Sequence, residues 1–252
     1  MPNLRTLFPP SAFIPLLIVV MVSSLFADPA RSPTTLTLNT FKVAPLSTAD
    51  RKGIGDRVVK EALRRIGMSV KIKHLPPERA LLHANDGLED GTYVRIAGLE
   101  ELYPKLVMVP EMILQAEFVA FSKKPSLPVT QWNELGPYRV GIVRGCKIAE
   151  LNSTSAKSVI RARDLNTAFY LLAVDKVDVV VYDRLHGKVL LNSINQTGIY
   201  AAEQPLARQN MYLYLNRKHE ALVPRIAGAI RDMKSDGTFS AIVDEVMRSL
   251  SL

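Results

Sequence analysis

A single cysteine, Cys146, is all that 252 residues contain, so no intramolecular disulfide can form and stability must come from a packed core. The four histidines, His74, His83, His186 and His219, show no metal-ligand spacing. No G-x-S-x-G turn presents a nucleophilic serine. Beyond residue 27 no apolar run reaches the roughly 20 residues that a membrane-spanning helix needs. Basic residues are scattered, and no stripe interleaves them with aromatics, which argues against a nucleic-acid interface. These absences exclude a disulfide scaffold, a multi-span membrane protein and the commonest metal and serine hydrolases.

What is present is an ordinary globular composition, 48% hydrophobic and 22% charged. The first 27 residues stand apart. Arg5 is their only charge, and the apolar run Phe13 to Ala27 ends in small residues before Asp28, which reads as a secretory leader cleaved after Ala27. An uncleaved anchor is the alternative. No cysteine follows the run, so no site for a bacterial lipid anchor is offered. Without the leader, 31 basic residues face 24 acidic ones, a net of +7. Such a balance suits a solvated surface or an anionic solute, and export speaks against nucleic acid. The expected location is the periplasm.

Periodicity gives the organisation. "TTLTLNTF" reads as a strand, and "GIGDRVVKEALRRIGM" as a helix with Val58, Val59, Ala62, Leu63 and Ile66 on one stripe. "SVKIKHL" is a second strand, Pro76 and Pro77 open a helix over 78–85, and "GTYVRIAG" begins as a third strand. Strand and helix alternate, the mark of a parallel sheet covered by helices. Two strand-like runs then follow each other in "LYPKLVMVPEMILQAEFVAFSKKP", where the alternation breaks. A second unit repeats the first: "YRVGIVRG", "CKIAELN", "SVIRA", a helix capped by Asp164, and a strand from Val177 to Tyr182 that runs into Asp183. "NMYLYLNRK" pairs in character with "EFVAFSKK", so crossings between two lobes are expected around Phe118 to Phe121 and Met211 to Leu215. Two helical stripes, Leu222 to Met233 and Phe239 to Val246, return to the first lobe.

This order resembles the bacterial extracellular solute-binding proteins of family 3, the type II periplasmic binding fold of the polar amino-acid binders. The pieces that carry the resemblance are "GIGDRVVKEALRRIG", "YRVGIVRG", "VDVVVYD" and "IRDMKSDGTFSAIVDEV", in order over residues 35 to 250. It implies an α/β fold of two lobes, each a βα sandwich, joined by two crossing strands. A leader over 1–27 would be followed by lobe one over 28–119, lobe two over 120–213 and a return to lobe one over 214–252. It further implies a monomer that binds a small polar or amino-acid-like ligand, needs no cofactor, and hands its ligand to an inner-membrane ABC permease. The alternatives are a sensing protein that partners a membrane receptor, and a dehydratase-like enzyme with Glu78 as general acid.

In the family an aspartate after this strand accepts the ligand's ammonium, and Asp183 holds that place. A plain helix cap at Arg184 is the alternative. Asp178 reads as a structural strand-entry acid. The family's arginine after a "T-x-x-R" turn is missing, with Leu102 near its position. Arg95, at the end of the third strand, can grip a carboxylate instead, or form an ordinary ion pair. Four more residues complete the candidate set. Arg79 faces the ligand or holds Glu78; Cys146 and Lys147 follow Gly145 in a turn with free backbone N–H groups; Phe41 offers an aromatic wall or packs in the core.

Overall fold

A computed structural model describes residues 34–249; the leader expected over 1–27 lies outside them. Among the described residues ten strands form a sheet whose main path has two halves of similar plan. In the first, β1 (Thr35–Thr40) lies between β2 (Ser69–His74) and β3 (Gly91–Arg95), all parallel. In the second, β6 (Arg139–Val143) lies between β7 (Ser158–Ala162) and β8 (Val179–Asp183), again parallel. Each parallel trio is the product of strand–helix–strand crossovers, as the alternating sequence pattern requires.

Two long antiparallel strands join the halves. β10 (Ala207–Asn216) pairs through Tyr212–Leu215 with β3 and through Ala207–Met211 with β5 (Leu114–Ser122). The short β4 (Leu106–Met108) also pairs with the first-half end of β10, and β9 (Tyr200–Ala201) pairs with β5. Backbone bonds from Val109 to Leu213 and from Ile113 to Met211 carry the outgoing chain across. The expected crossing at Phe118 to Phe121 therefore lies earlier. Those residues pair with Val180–Asp183 of β8, inside the second half. Apolar alternation continues unbroken from one partner strand to the next, so it does not mark where the partner changes.

The helices bury the stripes their spacing predicts. α1 (Ile54–Arg65) buries Val58, Val59, Ala62 and Leu63, and its third residue, Asp56, accepts the Gly53 N–H at the helix start. α2 (Pro77–Asp86) buries Ala80, Leu81 and Ala84. α3 (Lys147–Asn152) is a single short piece, and α4 (Leu165–Ala173) is capped by Asp164, which accepts the Thr167 N–H at 2.8 Å. The segment "VTQWNEL" forms one turn of 3₁₀ helix, Trp132–Leu135. α5 (Arg184–Ser193) starts immediately after β8. α6 (Val223–Ser235) and α7 (Thr238–Ser249) return to pack on α1, fastened by Arg65–Asp236 at 2.6 Å and Arg57–Glu245 at 2.7 Å. None of the described helices is long and apolar enough to cross a membrane.

Candidate ligand-binding site

The carboxyl ends of β3 and β8 face each other across the line where the halves meet, where open α/β sheets bind ligands. At the first of these, a regular strand would point Thr92 and Arg95 to opposite faces. Instead the β3–β10 register shifts between Tyr212 and Leu213, and Val94 adopts a φ of 61°. A β-branched residue at positive φ is strained. The kink turns Arg95 onto the side of Thr92, whose hydroxyl accepts from Arg95 Nε at 3.1 Å.

Arg95 is only 4% exposed. Its other contacts are the Pro77 carbonyl, at 3.2 Å, and the ring of Phe41, whose centroid lies 5.0 Å from the guanidinium carbon. No carboxylate pairs with it among the described residues. Burial pulls the guanidinium down to about 10, against the upward pull of Tyr103, Tyr182 and the Glu78 carboxylate.

Asp183 ends β8 and caps α5, accepting the His186 N–H at 2.8 Å. It is 6% exposed. The neighbouring Arg184 is spent on Glu117, at 2.8 Å, and no cation pairs with Asp183 among the described residues. Burial pushes its carboxyl up to about 6, against the pull of the His186 and Glu117 backbone N–H groups. Asp183 is thus the helix cap that the sequence left as an alternative, and its carboxylate also lines the cavity described next.

Both charges belong to the wall of one cavity of about 40 Å³. Phe41, Arg95, Cys146, Lys147 and Asp183 all line it, with Tyr182 and a largely aliphatic remainder. Cys146 and Tyr182 each feel both the Asp183 and the Arg95 charge, and burial pushes the Cys146 thiol up to about 12. A protonated thiol is a poor nucleophile. His186 donates from Nδ1 to the Ala44 carbonyl at 2.8 Å. No cluster of metal-binding side chains occurs among the described residues.

Arg79 is the exception among the expected residues. It is exposed on α2, while its neighbours Ala80 and Leu81 are buried, and it does not line the cavity. The buried stripe of α2 runs through Ala80, Leu81 and Ala84, and Arg79 falls on its solvent side.

Lys147 lines the cavity with its charge already engaged. It meets Glu78 of the first half at 2.6 Å and Glu150 of its own helix at 2.8 Å. Tyr103 donates to the same Glu78 carboxylate at 2.8 Å. The Gly145 N–H, expected to be free for an anion, donates to Glu150 at 2.9 Å. Gly145 itself has a φ of 83°, and a Cβ there would sit 2.8 Å from the Pro77 carbonyl carbon. Backbone of one half touches backbone of the other at this point. Sequence reading missed this latch, because Glu78, Tyr103 and Lys147 are distant in the chain and carry no shared spacing. A wider cleft of about 690 Å³ lies alongside, and Phe41, Pro77 and Tyr182 line both spaces.

No family model matches the chain. An uncharacterised protein of Shewanella oneidensis is 24% identical over 192 residues, which cover 72% of this chain and 71% of that protein. A histidine kinase sensor domain with similarity to periplasmic binding proteins superposes with a TM-score of 0.75 at 15% identity, over 85% of this chain and 96% of its own. An amino acid ABC transporter substrate-binding protein from Streptococcus pneumoniae, bound to L-arginine, gives 0.71 at 14% identity, over 86% and 95%. Together with the repeated sheet plan and its two antiparallel crossings, these likenesses make the chain a two-lobed α/β protein of the type II periplasmic-binding-protein fold.

Proposed function

We propose that this protein captures a small carboxylate-bearing or amino-acid-like solute between its two lobes and does no chemistry on it. The observation that carries this reading is that two buried, opposite charges, Arg95 and Asp183, line one cavity with no ion-pair partner among the described residues. Desolvating either charge without a partner is unfavourable. A ligand with a carboxylate and an ammonium relieves both at once, through a bidentate contact to the guanidinium and a charge-assisted bond to the aspartate. Phe41 and Tyr182 supply the walls, with Cys146 beside them and Lys147 at the rim.

Capture from both lobes selects the closed arrangement, which is the form a membrane partner reads. The fold is shared with an ABC transporter component and with a sensor domain, so both an inner-membrane permease and a sensor kinase are partners to test. The leader of 1–27 places the protein in the periplasm in this reading. A thermal-shift screen of amino acids, small carboxylates and polyamines tests the proposal. A ligand at 100 times its dissociation constant adds about 2.7 kcal/mol of stability. Loss of the shift in both Arg95→Ala and Asp183→Asn supports the site; no shift with any compound of these classes contradicts it.

A further inference from the structure

Resting on that reading of the cavity, we infer that its ligand is a small zwitterion with a short, uncharged side chain, and that long or charged side chains are rejected. Arg95 and Asp183 are the two charges of the cavity wall without an ion pair among the described residues, and the charge count there is closed by one carboxylate and one ammonium. Within the cavity wall itself nothing remains for a third charged group. The rest of the wall includes Val43, Ile148, Phe118 and Met211, which are buried and apolar, and a charged tail against them would be left unpaired.

Lys147 is the one further ionic group of the wall, and the protein has supplied its counter-ions. Glu78 and Glu150 both hold it, and its side chain is 13% exposed. A glutamate-like tail would have to displace one of these carboxylates. An arginine-like tail would meet Lys147 as a like charge. Sites of this kind discriminate strongly, because the rejected ligand leaves buried groups unpaired.

Size points the same way. At about 40 Å³ the cavity holds a few waters, so only modest parting of the lobes is compatible with keeping the latch. The latch is a contact between halves, with Glu78 and Tyr103 on one side, Lys147 on the other, and the Gly145 backbone against Pro77. A long side chain must either break it or thread between Phe41 and Tyr182, which line both the cavity and the wider cleft.

Calorimetry with glycine, L-alanine, L-valine, L-arginine, L-glutamate, propionate and propylamine tests the inference on the intact protein. At least one of the three small amino acids is expected to bind roughly tenfold or more tighter than arginine and glutamate, and tighter than propionate or propylamine. In Glu78→Gln the rejection of the long side chains should relax several-fold. Arginine or glutamate binding as tightly as alanine overturns the inference and leaves the broader solute-binding reading standing. Propionate matching alanine overturns the zwitterion. Failure of all three small amino acids also overturns it, and the thermal-shift screen then decides the broader reading. Unchanged rejection in Glu78→Gln removes the latch as its cause.

Discussion

Asp178 and Asp183 bracket one strand and live in opposite electrostatic worlds. Asp178, at the entry of β8, takes two bonds from the Arg139 guanidinium, at 2.6 and 3.0 Å, and one from its backbone N–H. Those bonds hold its carboxyl down at about 2. Asp183, at the exit, caps a helix and has no ion pair among the described residues, and burial lifts it to about 6. An acid that serves the fold is given its partner by the fold. One that is buried without a partner costs stability, and that deficit points to a partner from outside.

The same contrast separates the two arginines. Arg139 is bound to Asp178 and 40% exposed in its side chain; Arg95 is buried and paired with no carboxylate among the described residues. The comparison breaks most visibly in binding. Arg95→Ala and Asp183→Asn should each weaken the zwitterionic ligand on the order of 2–5 kcal/mol, measured by calorimetry, without loss of the folded state. Arg139→Ala should leave the affinity unchanged. Equal losses at Arg95 and Arg139 would erase the distinction drawn here.

A smaller effect is expected from Gly145→Ala. The backbone there is left-handed, and an added Cβ meets the first half at Pro77 and Glu78, so the closed arrangement should lose about 1–3 kcal/mol. Solution scattering should show a larger radius of gyration than wild type, with affinity reduced in proportion. Smallest of all is Asp178→Asn. The pair with Arg139 is more than a third exposed on both sides, and its removal should lower unfolding stability by about 1 kcal/mol or less at neutral pH. Because Asp178 is depressed, its contribution is present above pH 3.8 and fades as the pH falls towards 2. Ligand affinity should not move.

The sequence made the frame legible where chemistry is local. Stripes such as Val58–Val59–Ala62–Leu63 and the Asp164 cap follow from spacing and from the residue's own backbone needs. Of the site, the strand-end positions of Arg95 and Asp183 were readable, since β-strand ends are visible in a run of apolar residues. Arg79 was not separable from its neighbours, because a ten-residue helix with Pro at its start gives little phase information. The Val94 kink, the Glu78–Lys147 latch and the site of crossing were beyond reach. Each depends on which backbone passes nearby, and sequence spacing holds no record of it.

The pH dependence of stability offers the most direct test, and its sign is opposite to that of an ordinary ion-paired acid. Asp183 titrates near 6 when folded and near 3.8 when unfolded. Between those values the folded protein keeps a proton that the unfolded chain has released. The group therefore opposes folding above about pH 6, and the penalty is relieved as the pH falls towards 4. His186, held down at about 4 by burial, acts in the other direction below 6.5, but it is common to wild type and variant and cancels in their difference. Denaturant unfolding of ligand-free wild type and Asp183→Asn at pH 8 and pH 4 isolates the carboxylate, since asparagine caps a helix about as well. The account predicts that the variant is more stable at pH 8, by up to about 3 kcal/mol for a shift of two pKa units, and that the gain vanishes at pH 4. A variant less stable than wild type at pH 8 would make Asp183 a structural acid like Asp178, and would contradict the claim that its partner is a ligand.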